Sequence, residues 1–226
     1  MRGTAVVLHA SMSEIEFFFD PLCPWAWITS RFVTEVSERS DLDVTWRFIS
    51  LRVVNEAKDV PDTYRQATLT GSRLLRVAAA AREHGGNEAV AAVYTEFGTR
   101  LHVEGASRRM WRGEDPAGII GGIISDSLAA ARLPAVLGEA ADEESWDELL
   151  RKETEVALAR TGPDVGTPII TFDLTRPDEA SLFGPVINRI PRGREAVDLW
   201  EALMVVACTP GIAELKRSLR GEIDFT

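Results

Sequence analysis

The stretch Phe17–Ile28, which reads FFFDPLCPWAWI, most constrains how this chain can fold. Its apolar run ends at Asp20, as a buried central strand would. After Cys23 and Pro24 the apolar residues recur at helical spacing, and proline is well tolerated at a first helical position. Cys23 is therefore predicted to lie at a helix N-terminus. The free N–H groups and positive dipole end there favour a thiolate, so we expect a reactive cysteine.

The segments around this stretch predict a strand–helix–strand unit. Glu14–Asp20 is expected to form the first strand, and the helix begins at Pro24. Apolar and polar residues then alternate over Leu42–Phe48, which is typical of a strand with one buried face. Two strands joined through a helix should be parallel, with a right-handed crossover.

The rest of the chain divides into a helical middle and a strand-containing end. Leu51–Arg65 is irregular and polar, whereas the apolar spacing from Gly71 to Arg160 is helical. Asp115 followed by Pro116 predicts a helix cap. An antiparallel hairpin of two strands is predicted to follow, at Pro168–Phe172 and Ala180–Phe183. A long helix at about Val197–Ala207 and a short helix at Pro210–Leu219 are predicted after it.

Charge and cysteine content narrow the classes of function. The 226 residues carry a formal net charge of −10, which argues against binding to nucleic acid or an anionic membrane surface. No apolar run reaches the roughly 18–20 residues that span a bilayer. The first residues lack an export signal, so we expect a cytoplasmic protein. With only Cys23 and Cys208, neither a disulfide framework nor a cysteine-based metal site is expected, and Cys208 is predicted to be a buried core residue.

This order of elements resembles the thioredoxin fold, with the helical middle placed as in its DsbA branch. The α/β fold expected is thus βαβ…ββα with an inserted all-helical domain. The sequence FFFDPLCPWAWITSRF is further similar to the actinobacterial group of mycothiol-dependent nitroreductases, as are three short motifs: VGTP at Val165–Pro168, FGP at Phe183–Pro185 and IPRG at Ile190–Gly193. The resemblance runs from about Glu14 to Leu219.

The resemblance implies a division into domains and a fixed partner for the cysteine. Residues 14–55 and 162–226 would form the thioredoxin-like domain, residues 56–161 the inserted helical domain, and residues 1–13 a leader. Thr167 and Pro168 would be joined by a cis peptide bond that faces the sulfur of Cys23. In such proteins the backbone before this proline pairs with an extended thiol substrate. If it had no such role, Pro168 would simply begin an edge strand.

Ala26 departs from the family motif, which is Cys-Pro-Trp-Cys. With alanine at the fourth position, Pro24 and Trp25 separate Cys23 from a residue that cannot form a disulfide. A monothiol cycle remains open, in which a low-molecular-weight thiol, mycothiol in this family, replaces the resolving cysteine. No bound cofactor and no metal are expected. The expected substrates are a nitro-aromatic or disulfide compound and the thiol itself, and a homodimer is left open.

Four residues match positions that line the family's cleft. Trp25 could stack on an aromatic substrate, while Asn55, Tyr64 and His102 could donate hydrogen bonds to a sugar-like thiol or a nitro group. His102 could also change charge near neutral pH. Each of the four could instead be structural. Trp27 is expected to pack in the core.

Two other functions stay open from the sequence. A kappa-class glutathione-transferase-like or isomerase-like enzyme would activate a bound thiol without oxidising Cys23, and Ala26 suits that chemistry. Alternatively, a binding or chaperone-like protein would use the cleft after losing its redox activity.

Overall fold

A computed structural model describes residues 14–225, and within that range every side chain except that of Trp111. The predicted leader, residues 1–13, lies outside the described residues.

A four-stranded sheet forms the centre of the fold. Its strands are β1 (Glu14–Phe19), β2 (Asp43–Phe48), β3 (Ile169–Thr171) and β4 (Ser181–Phe183). Their order across the sheet is β2-β1-β3-β4. The predicted parallel pairing of β1 with β2 and the antiparallel pairing of β3 with β4 are both confirmed. β3 also runs antiparallel to β1, so β1 has a partner on each side.

The central position of β1 explains its uninterrupted run of phenylalanines. Phe17 and Phe19 belong to the large core cluster, whereas Phe18 belongs to a second, smaller cluster. All three side chains are fully buried. Because both faces of the sheet are covered, β1 is apolar at every position from Phe17 onward and does not alternate as a half-exposed strand would.

The described part of the chain also contains seven α-helices. They are α1 (Pro24–Ser37), α2 (Leu51–Val54), α3 (Asp62–Gly98), α4 (Ala106–Trp111), α5 (Pro116–Ala130), α6 (Asp147–Thr161) and α7 (Gly193–Ala207). A π-helical turn, Thr99–Val103, follows α3, and the 3-10 segments Ala135–Asp142 and Glu144–Trp146 precede α6. This mixed α/β architecture is consistent with a thioredoxin-like fold.

Local signals placed most of these helices correctly. Asp115 caps α5 as predicted, accepting hydrogen bonds from the N–H groups of Ala117 at 3.1 Å and Gly118 at 2.8 Å. The glycine pair 85–86 bends α3: Gly86 has φ of +68°, which favours glycine, and so divides the long helix into two segments.

Two regions differ from the prediction. The region expected to be irregular contains α2 and the first turn of α3, which begins at Asp62. The prediction of a short helix that ends at Leu219 is wrong, because a turn and irregular backbone follow α7. Leu215 and Leu219 are 78% and 91% exposed, so no neighbour buries the apolar face that such a helix would need. A short helix without tertiary packing is marginal in water.

Candidate active site

Cys23 lies where the sequence predicts, at the N-cap of α1. Its backbone is extended, with φ of −77° and ψ of 110°, and Pro24 occupies the first helical turn. The N–H of Ala26 donates to the Cys23 Sγ across 3.4 Å. The sulfur therefore occupies the place that a capping oxygen has in other helices.

The loop before β3 lies directly against this sulfur. The Thr167–Pro168 peptide bond is cis, and the Cys23 thiol donates a hydrogen bond to the Thr167 carbonyl oxygen at 3.3 Å. The Thr167 hydroxyl in turn donates to the Phe18 carbonyl in β1 at 3.0 Å. The loop is thus attached to the central strand, and its carbonyl faces the cysteine.

Burial decides the protonation of Cys23 in this arrangement. The residue is only 8% exposed, and burial raises the pKa of its thiol to about 12. The Ala26 N–H and the charge of Arg220 lower this pKa, while Asp20 raises it. The expected thiolate is therefore wrong for this structure, because desolvation outweighs the helix N-terminus and the group stays a thiol at neutral pH.

Asn55 and Tyr64 form a pair beside the cysteine. The Asn55 side-chain amide donates to the Leu51 carbonyl at 2.8 Å and to the Tyr64 hydroxyl at 3.3 Å. Burial raises the pKa of Tyr64, and the charge of Asp20, and of Cys23 once it ionises, raises it further. Tyr64 thus lies within electrostatic reach of Cys23, and Asn55 joins the site through Tyr64.

His102, in the π-helical turn, contacts the loop between β1 and α1 that carries Cys23. Its Nε2 lies 2.9 Å from the Pro21 carbonyl oxygen, and its side chain is buried. Burial lowers the pKa of His102 to about 4, so the ring is neutral at pH 7 and Nε2 donates to the carbonyl. The predicted change of charge near neutral pH is therefore wrong. Desolvation by the surrounding core keeps the ring neutral.

The two tryptophans of the motif differ in environment. Trp25 is half-buried at the edge of the core, and the guanidinium carbon of Arg220 lies 5.7 Å from its ring centroid. Trp27 is 3% exposed and packs edge-on against Tyr94, in agreement with the predicted core position. Ala26 between them is fully buried, so it exposes nothing to a ligand.

A family model described as the mycothiol-dependent nitroreductase Rv2466c matches residues 22–217. The chain belongs to the Rv2466c-like mycothiol-dependent nitroreductase family. It is also 28% identical, over 206 residues, to the uncharacterized protein Rv2286c of Mycobacterium tuberculosis (strain ATCC 25618 / H37Rv), covering 91% of this chain and 82% of that protein.

In this family member the structure adds Asp20, which sequence reasoning treated only as the end of a strand. The carboxylate is fully buried and accepts hydrogen bonds from the N–H groups of Leu22 at 3.0 Å and Leu51 at 2.8 Å. Burial raises the pKa of Asp20 to about 6, and the two backbone donors oppose that rise. A carboxylate directly after an apolar strand and three residues before the cysteine was the available signal.

Three residues distant in sequence connect the C-terminal segment to the predicted site residues. Arg220 lies over Trp25, Phe225 stacks on His102, and Asn188 binds the segment between Arg220 and Phe225. No local motif marks these residues, because their contacts depend on how the C-terminal segment folds back.

The remaining expectations concern metal, membrane and the second cysteine. Residues 14–225 contain no cluster of three or more histidine, cysteine, aspartate or glutamate residues able to hold a metal ion. Over the same range, no helix combines the length and apolarity needed to span a bilayer. Cys208 is half-buried at the end of α7, so the expectation of a fully buried residue is wrong.

Proposed function

We propose that this protein reduces nitro-aromatic or disulfide compounds with mycothiol, using Cys23 as its one redox-active thiol. The observation that carries the proposal is the contact between the Cys23 Sγ and the carbonyl of Thr167, at the start of α1 and before the cis proline. Membership of a mycothiol-dependent nitroreductase family supports the same chemistry.

The fold proposed for this function is thioredoxin-like in the DsbA arrangement. Residues 14–55 and 162–226 would form the redox domain, and residues 56–161 the inserted helical domain. The strand order β2-β1-β3-β4, with helices α2 to α6 between β2 and β3 in sequence, supports this division. We place the protein in the cytoplasm, with no bound cofactor.

The proposed reduction uses two thiols for each two-electron step. The Cys23 thiol and one mycothiol thiol each lose a proton, and their sulfurs form a disulfide bond. The two electrons released convert the nitro group to a nitroso group, and one nitro oxygen leaves with the two protons as water. A second mycothiol thiolate then attacks the mycothiol sulfur of the mixed disulfide. This attack forms mycothiol disulfide and returns Cys23 to the thiol.

The surrounding residues have separate roles in this proposal. The Thr167 carbonyl would orient the Cys23 thiol and then pair with the backbone-like part of the incoming thiol. Asp20, with its pKa near 6, is largely ionised at neutral pH and would hold the loop before Cys23 in place through the N–H groups of Leu22 and Leu51. Tyr64, supported by Asn55, would donate a hydrogen bond to the nitro group or to the sugar of mycothiol.

Trp25 and His102 would bind the aromatic part of the substrate. Trp25 is half-buried, so part of its ring is free to stack on a planar ligand. The His102 ring is neutral, lies beside the loop that carries Cys23, and would present a flat surface once Phe225, which stacks on it, moves away.

Replacing each cysteine in turn tests the function. We expect Cys23→Ser to abolish reduction of 4-nitroacetophenone by mycothiol, while Cys208→Ser, the matched control at the other cysteine, retains it. Mass spectrometry of the stalled parent protein should show mycothiol on Cys23. Equal activity of Cys23→Ser and the parent protein would overturn the proposal.

A second candidate, thiol transfer without oxidation of Cys23, is favoured by one specific observation. The raised pKa of Cys23 together with Ala26 suits a residue that only holds a bound thiol by hydrogen bonding. That chemistry would give a mycothiol–substrate conjugate or an isomerised substrate and no disulfide on Cys23. The same mass spectra therefore separate the two candidates.

A further inference from the structure

The C-terminal segment folds back over the candidate active site and is held there. We define residues 220–225 as the C-terminal strap. The Asn188 side-chain amide donates to the Glu222 carbonyl at 3.0 Å, and the Asn188 carbonyl accepts from the Asp224 N–H at 2.7 Å. Gly221 has φ of +69°, and a Cβ there would lie 2.9 Å from the Asn188 Nδ2. The backbone of the strap is thus fitted to Asn188.

Two side chains of the strap cover two of the proposed substrate-binding rings. The Phe225 ring stacks on the His102 ring, with centroids 5.7 Å apart and planes 14° from parallel. The Arg220 guanidinium lies over the Trp25 ring. Ile223 and Phe225 pack against the core, whereas the preceding residues 209–222 are exposed.

The nature of these contacts indicates what the covered surface binds. A flat phenyl ring lies on His102, and a flat cation lies on the electron-rich face of Trp25. A nitro group withdraws electrons from an aromatic ring, so a nitro-aromatic compound is both flat and electron-poor. Such a compound can take the place of Phe225 on His102 or of Arg220 on Trp25, since planar, electron-poor groups stack well on aromatic rings.

We propose that the strap occupies an aromatic subsite made by Trp25 and His102, and that it must leave before a nitro-aromatic substrate binds. The inference rests on the proposed function for the identity of the substrate, whereas the shielding of Cys23 can be measured without it. A strap that is closed most of the time lowers the apparent affinity for the ligand by the fraction of open molecules.

The shielding reaches Cys23 as well. Arg220 lies over Trp25, two residues after Cys23, its charge lowers the pKa of Cys23, and the cysteine is almost fully buried. Leaving of the strap exposes the thiol to water and to reagents. It also removes the positive charge of Arg220, and this charge favours the thiolate. Exposure of the thiol should speed its alkylation, whereas loss of the Arg220 charge should slow it, so the direction of the change in rate tests the proposal.

The first measurement is the rate at which iodoacetamide alkylates Cys23, in protein that carries Cys208→Ser. The variants are a deletion of residues 220–226, Asn188→Ala, and Arg220→Ala with Arg217→Ala as its matched control, since Arg217 is an exposed arginine of the same segment. We expect the first three to react about tenfold faster than the parent protein and Arg217→Ala to match it. If Arg220 acted on Cys23 through its charge alone, Arg220→Ala would react more slowly than the parent protein. Unchanged or slower rates in both Asn188→Ala and Arg220→Ala therefore overturn the proposal.

The second measurement is binding of 4-nitroacetophenone by equilibrium dialysis, in the absence of mycothiol. Deletion of the strap should lower the dissociation constant by about tenfold. Phe225→Ala should also lower it, and by more than Leu219→Ala, which is a control at an exposed residue. Equal affinity in the parent protein and the deletion variant overturns the subsite. Thermal unfolding of each variant identifies any that fail to fold, and the point variants then carry the test.

The two proposals can fail independently. If the strap variants show faster alkylation and tighter binding but the protein reduces no nitro compound with mycothiol, the proposed function is wrong and the role of the strap stands. If the parent protein reduces nitro compounds and none of the strap variants changes the alkylation rate, the role of the strap is wrong and the proposed function stands.

Discussion

Ala26 is the residue that most changes the chemistry of this site relative to its family motif. It lies one helical turn after Cys23, is fully buried, and its N–H donates to the Cys23 sulfur. Residues three apart at the start of a helix have Cα atoms at a distance that a disulfide can bridge. The alanine therefore removes a bond that the backbone would permit, and the mixed disulfide can be released only by a second molecule of thiol.

Restoring the missing cysteine should change the product that accumulates. With Ala26→Cys, we expect the mycothiol adduct on Cys23 to give way to an internal disulfide, because an attached thiol reacts at an effective concentration in the millimolar range or higher. Ala26→Ser is the control of similar size. Mass spectrometry after exposure to oxidised mycothiol measures both products. A persistent adduct in Ala26→Cys would contradict this account.

The Asp20 carboxyl makes folding stability depend on pH in a defined direction. Its pKa is about 6 in the folded chain and about 4 when unfolded, so the folded state binds the proton more tightly. The associated stability is complete below pH 4 and is lost as the pH rises through 6, and it amounts to about 3 kcal/mol. We expect urea unfolding to show this fall between pH 4 and 7 in the parent protein and a smaller one in Asp20→Asn.

The amide in Asp20→Asn cannot ionise, so this variant should keep at pH 7 most of the stability that it has at pH 4. Asp59→Asn, at an exposed aspartate, is the matched control and should follow the parent protein. A fall in stability that is equally steep in Asp20→Asn would show that other groups cause it.

At the scale of elements, α1 is fixed by the close approach of α3. A Cβ on Gly98, the last residue of α3, would lie 2.0 Å from the Trp27 ring of α1. Gly71 of α3 makes a similar approach to Asp20, with a Cβ position 2.8 Å from Oδ1. Glycine at these two positions lets the long helix contact Asp20, before Cys23, and Trp27, after it.

A methyl group at Gly98 should therefore disturb the site from outside it. We expect Gly98→Ala to lower the free energy of unfolding by about 3 kcal/mol, since overpacking a buried contact with an aromatic ring forces a shift. Gly121→Ala in α5 is the control, because nothing lies within 4 Å of its Cβ position, and it should raise stability by about 0.5–1 kcal/mol. Chemical denaturation measures both, and equal effects would contradict the packing argument.

At the scale of the whole molecule, the helical middle is attached to the sheet through α6. The Glu153 carboxylate accepts from the Phe48 N–H at 2.9 Å and pairs with Arg47 and Arg82. The Thr154 hydroxyl next to it accepts from the Ser50 N–H at 2.9 Å. These groups satisfy the backbone where β2 ends, so α6 fixes the entry to the segment that leads into Asn55 and Tyr64.

The sequence was most informative where one local signal decides the structure. The phenylalanine run of β1, the alternation in β2 and the proline at the start of α1 each placed an element correctly. Local spacing failed for the helix predicted to end at Leu219, because spacing shows an apolar face without showing whether anything covers it. Asp20 was missed as a site residue because the local sequence shows it only as the end of a strand, and Arg220 was missed because no local motif marks its contact with Trp25.

The sequence by itself determined that a cysteine stands at the start of the first helix after a buried strand. Hydrophobic periodicity and proline placement act over a few residues, and these signals are complete in the local sequence. Only the tertiary structure decided that Cys23 is a buried thiol, that His102 is neutral and that Phe225 covers it. Those properties depend on desolvation and on contacts between residues more than 100 positions apart, which come together only when the chain is folded.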